Sequence, residues 1–459
     1  MRLASFAGVL KRRIFGVESE YGLTCTERGN TIMSADVLAR HLFEDIAIFA
    51  MVPNIFLPNG ARLYVDTGFH PEYATPECDD LEDLVASDRA GERIIEDLVR
   101  GAQKRLPERG VTGVIQAFKN NTDYAGNSYG CHENYLVARQ TDFGTLVEAL
   151  VPFLVSRVVF AGAGKIERGP RGVEYHLSQR AQHISEELSG GTVTGRPIIN
   201  SRDEPHADAS RFRRLHVIVG DSNMSEVATY LKVGATTLVL DMIEDGFLLE
   251  DLRLQSAVTA LRVISADPTL TCRVPLRDGR WYTAIELQLS YLDASEEYVR
   301  RRGGDPRAQA VLVRWREVLE QLAKDPMTAG AEVDWVAKKA LIERYRERHG
   351  CALDDPRIAM VDLQYHDVTS ERGLYRLLAR QGRVTSMVTG RDVDRAMGRP
   401  PQTTRARLRG EFIRRANLRG SEYQVDWTFV RTIVDGQSQT VFCHDPFVAH
   451  DERVDRLVA

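Results

Sequence analysis

Polar and apolar residues alternate along some stretches of the chain and return every three or four positions along others. In RLYVD, Arg62, Tyr64 and Asp66 fall on one face of a strand, while Leu63 and Val65 fall on the other. GVESEYG has the same period: Glu18 and Glu20 share one face, Val17 and Tyr21 the other. The longer run IFGVESEYGLTCT therefore predicts a strand, followed by a helix over 34–49 that Ser34 would cap. In SDRAGERIIEDLVRGAQKRL, Ile94, Ile95, Leu98, Val99 and Ala102 recur at helical spacing. VTGVIQAFKNN and ENYLVARQ predict a pair of strands around a Gly/Asn-rich connection. RRLHVIVGDSN predicts another strand and KVGATTLVLDMIEDG a helix, and helices dominate from there to about Gln381.

The composition changes near Gln381. A short helix over 391–397 should end at Gly398, before Pro400 and Pro401 restart the chain. TTRARLRGEFIRRANLRG reads as a basic helix, and YQVDWTFV and QTVFCHDPF as strands. The expected organisation is an extension over 1–12, a large domain over 13–388 and a small C-terminal domain over 389–459. Strands and helices mixed without regular βαβ alternation predict an α+β fold with a largely antiparallel sheet.

The chain has 459 residues, 43% of them hydrophobic and 27% charged, with a formal net charge of -5. That supplies a sizeable core and argues against coating nucleic acid, which needs a basic surface. The most apolar run, LVEALVPFLVSRVVFAGAG, is interrupted by Glu148, Pro152 and Arg157. It falls short of the ~18 uncharged residues of a membrane span, so it predicts a buried helix and no membrane partner. MRLASFAGVLKRR has too short an apolar run for a signal peptide. Cys25, Cys78, Cys131, Cys272, Cys351 and Cys443 lie far apart with no CxxC pair, which predicts reduced thiols in the cytoplasm.

Glu18 and Glu20 side by side repel unless water screens them or a cation lies between them. Taken alone, they better suit a solvated strand face. A second polar-faced strand soon afterwards, with Glu72 and Glu77 beyond it, adds carboxylates from separate segments, a donor set that suits Mg²⁺. GAGK at 162–165 is not a phosphate-binding loop, because Val159 and Ile166 stand where glycine and Ser/Thr are needed. A nucleotide would instead be held by metal and by forks such as Arg62, Arg196, Arg202, Arg213 and Arg214. KNNTDYAGNSYGCHENY, with His132 and Glu133, has the composition of a loop, and His216 reads as a hydrogen-bonded structural histidine. Trp427 by itself reads as a core tryptophan of the small domain.

Taken together, GVESEYG, NGARLYVDTGFHPEYATPECD, FKNNTDYAGNSYGCHENYLV, RPIINSRDEPHADASRFRRLHVIVGDSNM, EVDWVAKKALIERY and PPQTTRARLRGEF closely resemble the Pup ligases. These blocks run in order over nearly the whole chain. The resemblance implies a glutamine-synthetase-like large domain with a curved antiparallel sheet, plus a small C-terminal domain. It implies ATP-dependent attachment of Pup, the prokaryotic ubiquitin-like protein, to lysines of target proteins, marking them for proteasomal degradation. It further implies Mg²⁺ at Glu18, Tyr64 and Glu72, ATP at Arg62, Thr75 and Trp427, and Asp66 as proton acceptor. A neutral phenol is a weak Mg²⁺ donor, so Tyr64 is expected to act through a water, and Glu20 is the chemically better ligand. The family also contains a Pup deamidase/depupylase, the alternative reading. Those hydrolases carry a long insertion after the first strand, where this chain has room for one helix. SGGTVTGRP, before the RPIIN block, departs from the ligases' usual richness in Ser and Arg there.

Overall fold

The polar alternation of the first strands is resolved by one large sheet, seen in a computed structural model that describes residues 11–44, 46, 54–123, 126–169, 172–191, 195–247, 251–434 and 436–458. Its strands are β1 (Phe15–Glu20), β2 (Asn54–Phe56), β3 (Arg62–Val65), β4 (Pro71–Ala74), β5 (Cys131–Ala138), β6 (Glu186–Ser189), β7 (Pro197–Asn200) and β8 (Phe212–Val217). They lie in the order β6-β7-β8-β5-β1-β4-β3-β2, antiparallel at every pair except β6–β7. This is the expected α+β arrangement with a largely antiparallel sheet.

One face of this sheet is apolar. Phe15, Val17, Tyr135, Val137, Leu215 and Val217 join a core cluster with Leu150 and Phe153 of helix α3 (Phe143–Ser156) and with Leu231 and Leu238 of α4 (Glu226–Glu244). Each such side chain contributes about 1.5–3 kcal/mol by leaving water. Glu133 points into the same interior and is fully buried against Arg157, with Arg157 Nη1 donating to Glu133 Oε2 at 2.9 Å. Helix α1 (Ala35–Phe43) and helix α2 (Leu81–Arg105) bury Leu38, Leu42, Ile95 and Val99 with Leu63 and Tyr73 in a second cluster. Asp80 starts α2 by accepting from the backbone N–H groups of Glu82 and Asp83.

Toward the C-terminus, α5 (Gly390–Gly398) lies against α2, with Asn59 Nδ2 donating to Ala396 O at 2.9 Å and Arg93 paired to Asp394. Helix α6 (Arg405–Arg419) and the three-stranded sheet β9 (Glu422–Val425), β10 (Phe429–Val434) and β11 (Gln437–Phe442) enclose their own cluster around Phe412, Ile413 and Val430. Glu77, just beyond β4, ties this unit down by accepting from Arg405 Nη2 at 2.8 Å and Arg409 Nη1 at 3.1 Å.

Several local expectations change in the fold. IFGVESEYGLTCT is broken at Tyr21, whose N–H donates to Pro71 O; Gly22–Glu27 then leaves for a small sheet with Val114–Phe118. VTGVIQAFKNN and ENYLVARQ are therefore not partners of each other. Ser34 precedes α1, but its hydroxyl donates to Asp36 rather than accepting a backbone N–H. The expected end of that helix, 47–49, lies outside the described residues. YQVDWTFV splits into β9 and β10, which puts Trp427 in the connecting turn rather than on a strand. The apolar run forms α3 and the short Val158–Ala161 helix, and no helix among the described residues is long and apolar enough to cross a membrane.

Candidate active site

The second face of the sheet is polar, and the antiparallel register aligns its side chains in rows. Tyr64 stands opposite Glu72, and Glu72 opposite Glu20. In the next row Arg62, Ala74, Glu18 and His132 follow one another across four strands. Asn134 on β5 and His216 on β8 form a third pair. Asp66 lies just past β3, at the start of the tight turn to β4, where its N–H donates to His70 O at 2.9 Å. Phe69 holds a φ of 65° in that turn, and the His70 ring stacks on Tyr129 with centroids 4.1 Å apart. These contacts fix where the Asp66 backbone sits.

Glu20, Asp66 and Glu72 bring one carboxylate oxygen each to within 4.8 Å of one another. Glu20 and Glu72 are 5% and 2% exposed, so their charges are poorly solvated. Burial, then the charges of Glu18 and Glu20, push the Glu72 carboxyl well above its ordinary range. Burial also raises Glu20; His132 opposes this and Asp66 adds to it, while Gly130 N–H donates to its Oε1 at 2.6 Å. Glu18 behaves oppositely. Burial disfavours its charge, but neighbouring His132, His216 and Arg214 outweigh that and hold it well below the usual carboxylate range. His132 Nδ1 lies 3.5 Å from Glu18, His216 Nε2 and Arg214 Nη1 each 3.7 Å, and Asn134 Nδ2 donates to it at 3.1 Å.

Glu20 and Glu72, whose ionisation burial disfavours, crowd with Asp66 into a set of oxygen donors that suits a hard divalent cation, which would relieve the repulsion. The residues present therefore fit Mg²⁺. Tyr64 stands opposite Glu72, and burial together with Glu72 and Glu18 pushes its phenol well above its ordinary value. It stays neutral and offers a cation only a weak oxygen, whereas Glu20 offers a strong one.

The other end of the polar face opens on a cleft lined by Glu18, Thr75, His206, Arg214, Arg405 and Trp427. Trp427 projects from its turn with Phe56 edge-on at 5.0 Å and the Arg409 guanidinium 4.8 Å over its ring. Thr75 Oγ1 accepts from Val17 N–H at 3.0 Å, which leaves its own O–H to donate into the cleft. Arg62 lies 4.3 Å over the Tyr64 ring and donates to Asn54. A roomier cavity of about 560 Å³ between α2, α5 and α6 lies apart from every one of these carboxylates.

The fold thus gathers Glu18, Arg62, Tyr64, Asp66, Glu72 and Thr75 around one sheet face and brings Trp427 to its edge. Sequence reasoning missed the partners of Glu18. His132 sits on β5 rather than in a loop, and its alternation with Asn134 was the available signal. His216 is not tied into a structural hydrogen bond: neither ring nitrogen has a hydrogen-bond partner, and Nε2 faces Glu18.

The family described as Pup-ligase protein matches residues 13–431. Pup–protein ligases of a Nocardioides species and of Kribbella flavida are each 52% identical to this chain, over 98% of it and 99% and 100% of their own lengths. Among solved structures, the ligase PafA in complex with the prokaryotic ubiquitin-like protein Pup matches with a TM-score of 0.92 at 40% identity, over 97% of this chain and 92% of that one. The Pup ligase PafA in complex with ADP matches with a TM-score of 0.84 at 39% identity, over 94% and 95%. With relatives this similar over their full lengths, the chain belongs to the Pup ligase family.

Proposed function

We propose that this protein is an ATP-dependent ligase that activates the side-chain carboxylate of the C-terminal glutamate of Pup and joins it to lysine ε-amines of target proteins. The observation that carries the reading is the meeting of Glu20, Asp66 and Glu72 on the sheet whose other end opens on the Trp427 cleft. Six unpaired cysteines support a cytoplasmic setting. The small C-terminal unit, taken from Thr389 onward, supplies Trp427 to the nucleotide.

Both partners begin with the wrong charge for amide formation. The carboxylate is a poor electrophile, and with a pKa of ~10.4 roughly one lysine in a thousand is neutral at pH 7. Trp427 flanks the adenine, while Thr75 and Arg62 donate to the nucleotide's polar groups. Glu20 and Glu72, with Glu18 in the neighbouring row, would hold Mg²⁺, and Tyr64 would act at longer range. Bound there, a cation would supply positive charge that offsets the repulsion between the triphosphate and a carboxylate. The Pup carboxylate attacks the γ-phosphorus, giving a γ-glutamyl phosphate and ADP. Asp66 attracts the lysine ammonium, orients it and accepts its proton as the amine attacks the activated carbonyl and phosphate departs.

Incubation with ATP, Mg²⁺, glutamate-ended Pup and a lysine-bearing target tests this. Conjugates formed with one ADP each are expected. Rapid cleavage of preformed conjugates without net ligation would mark a depupylase instead.

A further inference from the structure

Lys232, on α4, is 1% exposed, and its Nζ donates to the Asp221 carbonyl at 2.9 Å and to the Cys131 sulfur at 3.6 Å. Among the described residues no carboxylate forms an ion pair with it, which is rare for a lysine so deep. Cys131 is equally buried; it opens β5 and stands opposite Ser19 of β1. No other cysteine sulfur among the described residues is hydrogen-bonded to an amine. Two further polar groups lie beside this thiol. The Ser19 and Tyr21 hydroxyls are buried without a hydrogen-bond partner, and Tyr21 is close enough to feel the charge of Cys131. Unpartnered hydroxyls around a thiol can hold a molecule of about the size of water, and hydrogen peroxide is little larger.

We propose that Cys131 and Lys232 form a peroxide-dependent modification site, at which a Cys131 sulfenic acid condenses with Lys232 Nζ into a sulfenamide cross-link between β5 and α4. In the first step the sulfur attacks one peroxide oxygen: an S–O bond forms, the O–O bond breaks, and the departing hydroxide takes the thiol proton as water. In the second, Nζ forms an N–S bond as the S–O bond breaks. Of the ammonium's protons, one stays on nitrogen, one leaves with the hydroxyl as a second water, and one is released. Sulfur loses two electrons and the peroxide gains them; two thiols reverse the link and end as a disulfide. An N–S bond is far shorter than the present contact, so closing it draws β5 toward α4. The neighbours of Cys131 serve the acidic site: Gly130 N–H donates to Glu20 at 2.6 Å, and His132 Nδ1 lies 3.5 Å from Glu18. The cross-link therefore acts on both carboxylates from the buried side of the sheet.

The test treats the full-length protein with hydrogen peroxide and reads its alkylated tryptic peptides by mass spectrometry. The peptides carrying Cys131 and Lys232 are expected as a joined pair about 2 Da lighter than their sum, uncleaved after Lys232 and separated again by dithiothreitol. Cys131→Ser should give no such pair. Lys232→Arg, whose guanidinium does not condense, should let Cys131 proceed to sulfinic acid. Wild-type Cys131 that stays reduced, or that reaches sulfinic acid while Lys232 remains free, would overturn the site. An undiminished cross-link at Lys232 in Cys131→Ser would do the same. Conjugation by the cross-linked protein, which rests on the ligase reading above, should slow by about 10- to 100-fold and recover with dithiothreitol, while Cys131→Ser keeps its rate through the treatment. Unchanged conjugation by the cross-linked protein would overturn the coupling to the acidic site. A reduced protein that conjugates nothing would overturn the ligase reading, on which the mass readout does not depend.

Discussion

Glu20 and Glu72 stand directly opposite each other across the β1–β4 ladder, both out of reach of bulk water. Asp66 completes the cluster from the turn beyond β3. Two buried carboxylates folded face to face cost stability, and a hard cation bound between them would relieve that cost.

Replacing Glu72 with Gln removes one of those like charges. In the metal-free protein the change should raise stability by about 1 kcal/mol or more, while Mg²⁺-dependent ATP turnover falls by about 10²-fold. Thermal melts in EDTA, set beside turnover in Mg²⁺, check both. A variant that melts lower and keeps its turnover would remove Glu72 from the cation site.

Asp66→Asn keeps the turn, since the backbone N–H to His70 is unaffected. ATP affinity should be nearly unchanged, and conjugation should slow by roughly 10²–10⁴-fold. Single-turnover kinetics with a saturating lysine target would show this; conjugation at the normal rate would leave Asp66 without its proton-accepting role.

Trp427→Ala empties the aromatic edge of the cleft. Because Trp427 sits in a turn rather than a core, the expected loss is in nucleotide binding: about a tenfold rise in the KM for ATP, with the KM for Pup unchanged. Unfolding of the C-terminal unit instead would show that the ring is a packing residue.

Glu77 predicts an acid sensitivity. Burial opposes its charge, but Arg409 and Arg405 outweigh that and push its pKa down to about 2, below an ordinary value of 4.5. A depressed carboxylate contributes stability that is complete above the unfolded value and is lost as pH falls from about 4.5 toward 2. Docking of the C-terminal unit should weaken across that window. Glu77→Ala, which strands both arginines, should cost about 3–5 kcal/mol at neutral pH. Melting temperatures measured between pH 3 and pH 7 would test it, and a Glu77→Ala protein as stable as wild type would refute it.

Much of the scaffold was legible because local periodicity reports which way a side chain points. The alternation in GVESEYG and RLYVD marked their polar faces, and helical spacing marked α2, although the helix begins at Leu81, ahead of the stretch that opens at Ser87. Breaks were harder to read. Tyr21 ends β1 because its N–H is claimed by Pro71, and Trp427 falls in a turn between strands that read as one run. Neither event leaves a local mark. His132 was obscured by its Gly- and Asn-rich neighbours, and His216 had no neighbour in sequence to suggest Glu18.

The chain by itself determined that Glu18 and Glu20 share a face, that Arg62, Tyr64 and Asp66 share another, and which stretches form strands and helices. Only the tertiary structure decided that these two faces are one, with Tyr64, Glu72 and Glu20 in a single row and His132 and His216 against Glu18. The reason is physical: alternation follows from backbone geometry within a few residues, whereas register depends on hydrogen bonds between segments tens of residues apart, selected by how the whole core packs.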